Sequence, residues 1–221
     1  MVQTRRYAPP ALDLSEMLRY AACRQATAEV TELAQSAAQE GAKRLSLQVC
    51  WLEVPLQVTG DAVDLSFTRV TSAKLAQHLR GCDKAVVFAA TVGLELDRLI
   101  ARYGRLSPAR GLMLQAFGAE RIEALCDAFC ADLTQEYAPQ GLCTTARFSP
   151  GYGDLPLESQ RELFRALDCG RRIGLYLNES CLMSPSKSVT AIVGLSSHPA
   201  QRQSGCDSCT NQQCSFRRET V

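Results

Sequence analysis

Two apolar runs, AVVFAATVG at residues 85–93 and SVTAIVGLS at residues 188–196, most strongly constrain how this chain can fold. Neither run contains a charged side chain, so both predict strands that are largely buried in a sheet. Between them, Ser107 and Pro108 form a helix-start pair that predicts a long helix. Its apolar stripe comprises Leu114, Phe117, Ile122, Leu125, Phe129 and Leu133.

Shorter patterns predict the remaining elements. Ser15 is expected to cap a helix that continues to Gly41, a residue suited to a helix C-terminus. A short helix is predicted from Thr71 or Ser72 to Gly81. Further helices are expected through 96–100 and over 156–167, and strands at 45–51, 63–65, 144–148 and 173–177. Because helices and strands do not alternate regularly, an α+β fold with a bent, mainly antiparallel sheet flanked by helices is favoured over a doubly wound sheet.

Length and charge limit the classes of protein to which the chain can belong. Its 221 residues, 46% of them hydrophobic, suffice for one domain, which we assign to residues 1–199, followed by a polar, cysteine-containing tail at 200–221. A net charge of +1 gives no global field for nucleic acid or anionic lipid. No apolar run has the roughly 20 residues of a membrane span, and the polar start lacks a signal-peptide core. We therefore expect a cytoplasmic protein whose partners are recognised locally.

The stretch RFSPGYGDLP at residues 147–156 has the composition of a ligand-binding loop. Gly151 allows the main chain to approach a ligand closely, and Arg147 can grip a carboxylate with two hydrogen bonds. Tyr152 can stack on a flat ring and donate its hydroxyl. This combination suits an adenosylated amino acid. The alternative is an ordinary Gly/Pro-rich connection in which Arg147 makes a surface salt bridge.

A second stretch, LNESCLMSPSKSV at residues 177–189, contains Glu179 and a proline that interrupts regular structure before the last strand. Taken alone, it can equally be a strand that turns a corner. In order and separation, however, the two stretches together resemble the S-adenosylmethionine-binding activation domain of cobalamin-dependent methionine synthase. The positions that match are Arg147, Pro150, Gly151 and Tyr152, then Glu179, Ser180, Met183, Pro185, Ser188, Val189, Ser197, His198 and Pro199.

Residues 71–82 and 89–100 also look like small stand-alone relatives of that domain, so the resemblance covers most of the chain except its tail. It implies a subunit that presents S-adenosylmethionine for the reductive methylation of cob(II)alamin. The cobalamin would lie on the cobalamin-binding domain of a partner methionine synthase, and a flavodoxin or similar donor would supply the electron. The subunit itself would act as an accessory to that methyltransferase.

The resemblance also implies roles for individual residues. Arg147 would hold S-adenosylmethionine, with Gly151 and Tyr152 beside it. Glu120 and Glu123, at an i,i+3 spacing on the long helix, could meet the ligand's ammonium or sulfonium, or could simply form a solvated helix face. Glu179 would be a supporting residue, its carboxylate fixing the loop instead of touching the ligand.

Two departures from the family pattern matter for function. The chain continues Gly-Tyr-Gly-Asp-Leu-Pro where larger synthases have Gly-Tyr-Pro-Ala-Cys-Pro, which changes the pocket wall at Gly153 and Asp154. It also lacks the Asp-x-His-x-x-Gly motif that holds cobalamin, since Ala76 stands in the aspartate position before His78 and Gly81. Cobalamin must therefore come on another protein.

The tail carries Cys206, Cys209 and Cys214 at a C-x2-C-x4-C spacing. Three thiolates with His198 or Cys181 could hold zinc, and an iron-sulfur cluster is equally compatible; a redox-active or disordered tail is the alternative. A metal or cluster would suit a second function, that of an electron-transfer or activator protein for another corrinoid enzyme. A third is an interaction module that has lost its ligand. Cys126 and Cys130, one helical turn apart, are expected to be core residues.

Overall fold

The computed structural model describes residues 1–23 and 25–198. Its strands, numbered in chain order, are β1 (Gln3–Arg6), β2 (Gln48–Pro55), β3 (Gln57–Thr59), β4 (Ala62–Asp64), β5 (Arg69–Thr71), β6 (Lys84–Thr91), β7 (Cys143–Thr144), β8 (Tyr176–Leu177), β9 (Met183–Ser184) and β10 (Ser188–Ser196). The central sheet has the order β1-β2-β6-β10-β7, and every pairing in it is antiparallel. Two smaller antiparallel sheets, β3-β4-β5 and β8-β9, complete the strand content of the described residues.

The α-helices are α1 (Leu14–Tyr20), α2 (Ala28–Ala42), α3 (Ala73–His78), α4 (Leu94–Leu106), α5 (Pro108–Tyr137), α6 (Gln160–Leu167) and α7 (Cys169–Ile173). Single 3₁₀ turns at Ala138–Gln140 and Leu157–Ser159 follow α5 and precede α6. Within the described ranges, no helix combines the length and the apolar character needed to cross a bilayer.

The central sheet is covered on both faces. Along β6, Val86 and Phe88 contribute to one hydrophobic core, whereas Val87 and Ala89 contribute to the other. Helices α1, α2, α4 and α5 pack on the first face, and α3, α6 and α7 pack on the second. The continuous apolar character of residues 85–93 follows from this double burial. The predicted α+β architecture, with an antiparallel sheet flanked by helices, is confirmed.

The structure has two helices where the sequence predicted one helix from Ser15 to Gly41. The side chain of Asp13 caps α1, and the chain leaves that helix through Ala22, which adopts a positive φ of 57°. Thr27 then caps α2. Gly41 lies inside α2 rather than at its cap. A glycine is needed at this position because a β-carbon would fall 2.7 Å from the ring of Phe117. This glycine permits α2 and α5 to approach each other.

Other local predictions had mixed outcomes. The hydroxyl of Ser72 caps α3 by accepting a hydrogen bond from the Leu75 amide at 3.0 Å, as expected. Strand β10 occupies the predicted residues 188–196. The strand predicted at 173–177 is wrong in its first part, because α7 continues to Ile173 and Gly174 then turns the chain with a φ of 64°.

Candidate functional site around Arg147

Arg147 lies in the segment that follows β7 and runs beside β10. The amides of Thr145 and Phe148 donate to the carbonyls of Gly194 and Ile192 at 3.0 and 2.9 Å, so the backbone on both sides of Arg147 is tied to the central sheet. The position of the Arg147 side chain is therefore set by the sheet, and it lies against α5.

Two carboxylates of α5 bind the guanidinium of Arg147. Its Nη2 lies 3.0 Å from Glu123 Oε2 and 2.9 Å from Asp127 Oδ1. Glu123 and Asp127 are four residues apart, so they share one face of the helix. Arg147 thus makes ion pairs, as the alternative interpretation expected, but only 22% of its side chain is exposed. The Arg147 side chain is therefore largely buried, as is most of Glu123, whereas Asp127 is more than half exposed.

The second terminal nitrogen of Arg147, Nη1, is buried and has no hydrogen-bond partner among the described residues. A buried donor without a partner costs free energy comparable to a lost hydrogen bond. It is also a charged donor, and arginine binds carboxylates through two parallel hydrogen bonds. One terminal nitrogen of the guanidinium is therefore held by acids, and the other is a charged donor that is enclosed by protein and has no oxygen acceptor among the described residues.

Two thiols of α5, those of Cys126 and Cys130, face the same guanidinium. Burial raises the pKa of both, to about 11 for Cys130, although the positive charge of Arg147 works in the opposite direction. Burial disfavours the charged form of Arg147 as well, but the nearby acidic groups outweigh it, and the net effect is to raise its pKa. Both thiols stay protonated at neutral pH, and the core position predicted for Cys126 is confirmed.

The loop after Arg147 is a tight turn. The Gly151 amide donates to the Leu155 carbonyl at 3.0 Å, and the Tyr152 amide donates to the Ser149 carbonyl at 3.1 Å. Gly151 has a φ of 87°, in the region that favours glycine. The Tyr152 side chain is 69% exposed, so its ring is presented to solvent at the tip of the turn.

Asp154 fastens this turn to helix α3. Its carboxylate accepts hydrogen bonds from the Ser72 hydroxyl, from the Ala73 amide at 2.8 Å and from the Lys74 amide at 3.2 Å. The hydrogen bond from Ser72 is the main reason that the pKa of Asp154 is lowered. The departure from the family pattern at this position therefore has a structural role, which sequence reasoning missed because Ser72 and Asp154 are far apart in the chain.

Glu120, expected to share a site with Glu123, contacts other groups. It is buried, forms an ion pair with Arg121, and accepts a hydrogen bond from the Asp13 amide at 3.2 Å. Arg121 in turn donates to the carbonyls of Pro10 and Ala11 at 2.6 and 3.0 Å. Only Glu123 of the two glutamates contacts Arg147; Glu120 anchors the N-terminal segment to α5.

Glu179 lies in the turn between β8 and β9. Its backbone carbonyl accepts a hydrogen bond from Arg161, while its exposed carboxylate has no hydrogen bond or ion pair within the described part of the chain. The neighbouring Cys181 carbonyl accepts from Gln160 Nε2 at 3.1 Å, which ties the turn to the start of α6. The structure therefore does not bring the Glu179 carboxylate into contact with Arg147.

Three exposed apolar side chains form what we call the apolar rim. Tyr152 lies on the turn after Arg147, Leu157 on the 3₁₀ turn that leads into α6, and Leu182 on the turn between β8 and β9. A β-carbon on Gly151 would lie 3.4 Å from Leu157 Cδ1, so Leu157 sits against the base of the Tyr152 turn. The turn that carries Leu182 is tied to the start of α6, directly after the 3₁₀ turn that carries Leu157. Exposed apolar groups on neighbouring segments are typical of contact surfaces. Sequence reasoning identified Tyr152 but missed the two leucines.

The proposed metal ligands Cys206, Cys209 and Cys214 lie outside the described residues, as does the whole of the assigned tail. Among residues 1–23 and 25–198, no group of three or more His, Cys, Asp or Glu side chains is arranged to hold a metal ion. Of the two suggested fourth ligands, Cys181 is buried in the turn before β9 and His198 is exposed just after β10.

Comparison with known proteins extends these findings. The sequence model for the family described as "Vitamin B12 dependent methionine synthase, activation domain" matches residues 75–219, which includes most of the range assigned to the tail. The fold is similar to the crystal structure of the MetH reactivation domain bound to AdoHcy, with a TM-score of 0.67 and 16% sequence identity. That match covers 92% of this chain and 80% of the other. No curated protein sequence matches the chain.

Proposed function

The chain belongs to the family of activation domains of vitamin B12-dependent methionine synthase, and from this premise we propose that it presents S-adenosylmethionine for the reductive methylation of cob(II)alamin carried by a partner protein. It would do so as a stand-alone subunit, with a reduced flavodoxin or a similar donor supplying the electron. No step of this proposal requires the chain to bind cobalamin itself, and the motif for that is absent from its sequence.

The observation that carries the proposal is the unpartnered Nη1 of Arg147. The ligand's carboxylate is a suitable acceptor for a buried, charged donor, since it would satisfy a group that otherwise lacks a hydrogen bond. The tight turn that begins two residues later carries Gly151 and Tyr152, which we assign to the same site.

The two acids beside Arg147 fit the rest of an amino-acid ligand. Glu123 and Asp127 lie within 3.0 Å of the guanidinium, so a carboxylate bound to Nη1 would place its own ammonium group within reach of them. An arginine flanked by carboxylates thus recognises both charges of an amino acid. Glu120 is not assigned to the ligand, because its carboxylate is used by Arg121 and the Asp13 amide.

S-adenosylmethionine, when bound, would supply the methyl group for the partner's cobalamin. The part played by this chain is to orient the ligand, and holding two reactants in the correct geometry can by itself contribute several kcal/mol, on the order of 7–11 in favourable cases. The apolar rim is the surface that we assign to the partner's cobalamin-binding domain, because it is exposed and includes Tyr152, which we assign to the methyl-donor site.

The direct test is calorimetric titration of the purified protein with S-adenosylmethionine. Saturable binding is expected, and Arg147→Ala should weaken it by about tenfold to a hundredfold, the loss expected for one charged hydrogen bond. Arg98→Ala is the matched control, because Arg98 forms an exposed ion pair with Glu95 on α4. Thermal unfolding of both variants checks that the fold is retained.

The second stage adds the cobalamin-binding domain of a methionine synthase and measures remethylation of cob(II)alamin by its absorption spectrum. The wild-type chain should support remethylation in the presence of a reductant, and Arg147→Ala should reduce it in parallel with its loss of binding. A complex that forms equally well with and without S-adenosylmethionine, together with no binding in the first stage, would instead identify the chain as an interaction module without a ligand.

A further inference from the structure

A polar cavity of about 180 Å³ lies at the opposite edge of the central sheet from Arg147. It forms where β1 and β2 meet α7, and its lining consists of Thr4, Arg5, Arg6, Gln48 and Arg172. The proposed function makes no use of this cavity. No acidic residue of the described part of the chain lines it, although the whole sequence has nearly equal numbers of acidic and basic residues.

Strand register and helix packing bring these residues together. Arg6 is paired with Gln48, and Thr4 with Cys50, across the antiparallel β1–β2 ladder. Residues two apart on a strand share a face, so Thr4, Arg6 and Gln48 point to the side on which Cys50 enters the second hydrophobic core. Helix α7 packs on that same side and adds Arg172.

The positive charges at this cavity are only partly neutralised. The side chain of Arg5 forms ion pairs with Asp132 at 2.7 Å and with Glu136 at 3.8 Å. Arg6 and Arg172, in contrast, have no ion-pair partner within residues 1–23 and 25–198. Two uncompensated guanidinium groups around one concave surface create a positive potential that favours an anion.

We propose that this cavity binds an oxyanion of the size of a diphosphate group, carried by a small diffusible compound. Its volume gives room for on the order of ten water-sized groups, more than a single phosphate needs. Guanidinium groups match phosphate oxygens with paired hydrogen bonds, and the Thr4 hydroxyl and Gln48 amide add neutral donors. Arg6 from β1 and Arg172 from α7 contact the anion from two sides.

The test is calorimetric titration with inorganic pyrophosphate at low ionic strength, with inorganic phosphate in a parallel titration. Pyrophosphate should bind saturably and more tightly than phosphate, because it can contact both arginines at once. Arg6→Gln and Arg172→Gln should each weaken pyrophosphate binding by about tenfold. Arg165→Gln removes one positive charge from an exposed ion pair on α6 and should leave the affinity unchanged.

Equal affinity of the wild-type chain and the Arg6→Gln and Arg172→Gln variants would overturn the proposal, as would the absence of saturable pyrophosphate binding at low salt. An equal loss in Arg165→Gln would also overturn it, since that result reports net charge rather than a site. The proposal is independent of the methyl-donor site: Arg147→Ala should not alter pyrophosphate binding, and Arg172→Gln should not alter S-adenosylmethionine binding.

Discussion

Nη2 of Arg147 lies 2.9 Å from Asp127 Oδ1, and this ion pair joins the segment after β7 to the middle of α5. Glu123 binds the same nitrogen from one helical turn earlier. Asp127 is 60% exposed, whereas Glu123 is more buried, so the two acids are not equivalent. Electrostatic interactions are stronger where water is excluded, and Glu123 should therefore contribute more to ligand binding than Asp127 does.

Glu123→Gln should weaken S-adenosylmethionine binding by about tenfold, because it removes a charge that would meet the ligand's ammonium group. Asp127→Asn should have a smaller effect. Calorimetric titration measures both, with Glu162→Gln on the exposed face of α6 as the control. Tighter binding in Glu123→Gln would contradict this expectation and would show that Glu123 competes with the ligand for Arg147.

Glu120→Gln should destabilise the fold by about 3–5 kcal/mol, since it leaves Arg121 as a buried charge without its partner. Urea denaturation measures the loss. In Glu95→Gln, which breaks an exposed pair with Arg98, the change should stay below about 1 kcal/mol. If Glu120→Gln instead retained full stability but lost S-adenosylmethionine binding, Glu120 would belong to the ligand site after all.

Asp154→Ala should lower the melting temperature by removing the contact between the Tyr152 turn and α3. The pKa of Asp154 is lowered in the folded state, so its contribution is complete above the unfolded value of about 4 and is lost as pH falls through the lower, folded value. The difference in melting temperature between wild type and variant should therefore be constant near neutral pH and should shrink in strong acid. A difference that persists unchanged at low pH would contradict an electrostatic role.

Gly41→Ala and Gly104→Ala should have opposite effects on stability. Both glycines lie within helices, where alanine is favoured by about 1 kcal/mol. At Gly104 a β-carbon meets no atom of residues 1–23 or 25–198 within 4 Å, so the substitution should stabilise the protein. At Gly41 it would meet the buried ring of Phe117, and overpacking of about 1–3 kcal/mol should exceed the helical gain. Chemical denaturation of the two variants gives the sign of each change directly.

The way in which each element is buried explains which parts of the fold could be predicted from the sequence. Strand β10 has the predicted bounds, and the predicted strand at 85–93 overlaps β6, because double burial removes polar residues from both. The break between α1 and α2 was missed, since the alanine-rich sequence around Ala22 favours a helix, whereas the chain leaves α1 there with a positive φ. The end of α7 took the first residue of the strand predicted at 173–177, because an apolar residue such as Ile173 fits either structure.

The candidate site was predictable where residues are close in sequence and not where the fold joins distant segments. The segment with Arg147, Gly151 and Tyr152 stands out by composition alone. Asp127 was missed, although its i,i+4 spacing from Glu123 could have indicated it. Glu120 is three residues from Glu123 on the same helix, but it forms an ion pair with Arg121 instead of Arg147. No sequence pattern shows which of these two arginines a given glutamate of α5 will contact.

The site around Arg147 combines one cation with two carboxylates, so it carries an excess of one negative charge. S-adenosylmethionine has a net charge of about +1 near neutral pH, because its sulfonium adds to an otherwise balanced amino acid. Transfer of the methyl group removes that sulfonium charge and leaves a neutral product. The same two acids that hold Arg147 would therefore favour the donor over its product, and the reaction itself would weaken the attraction that holds the spent ligand in place.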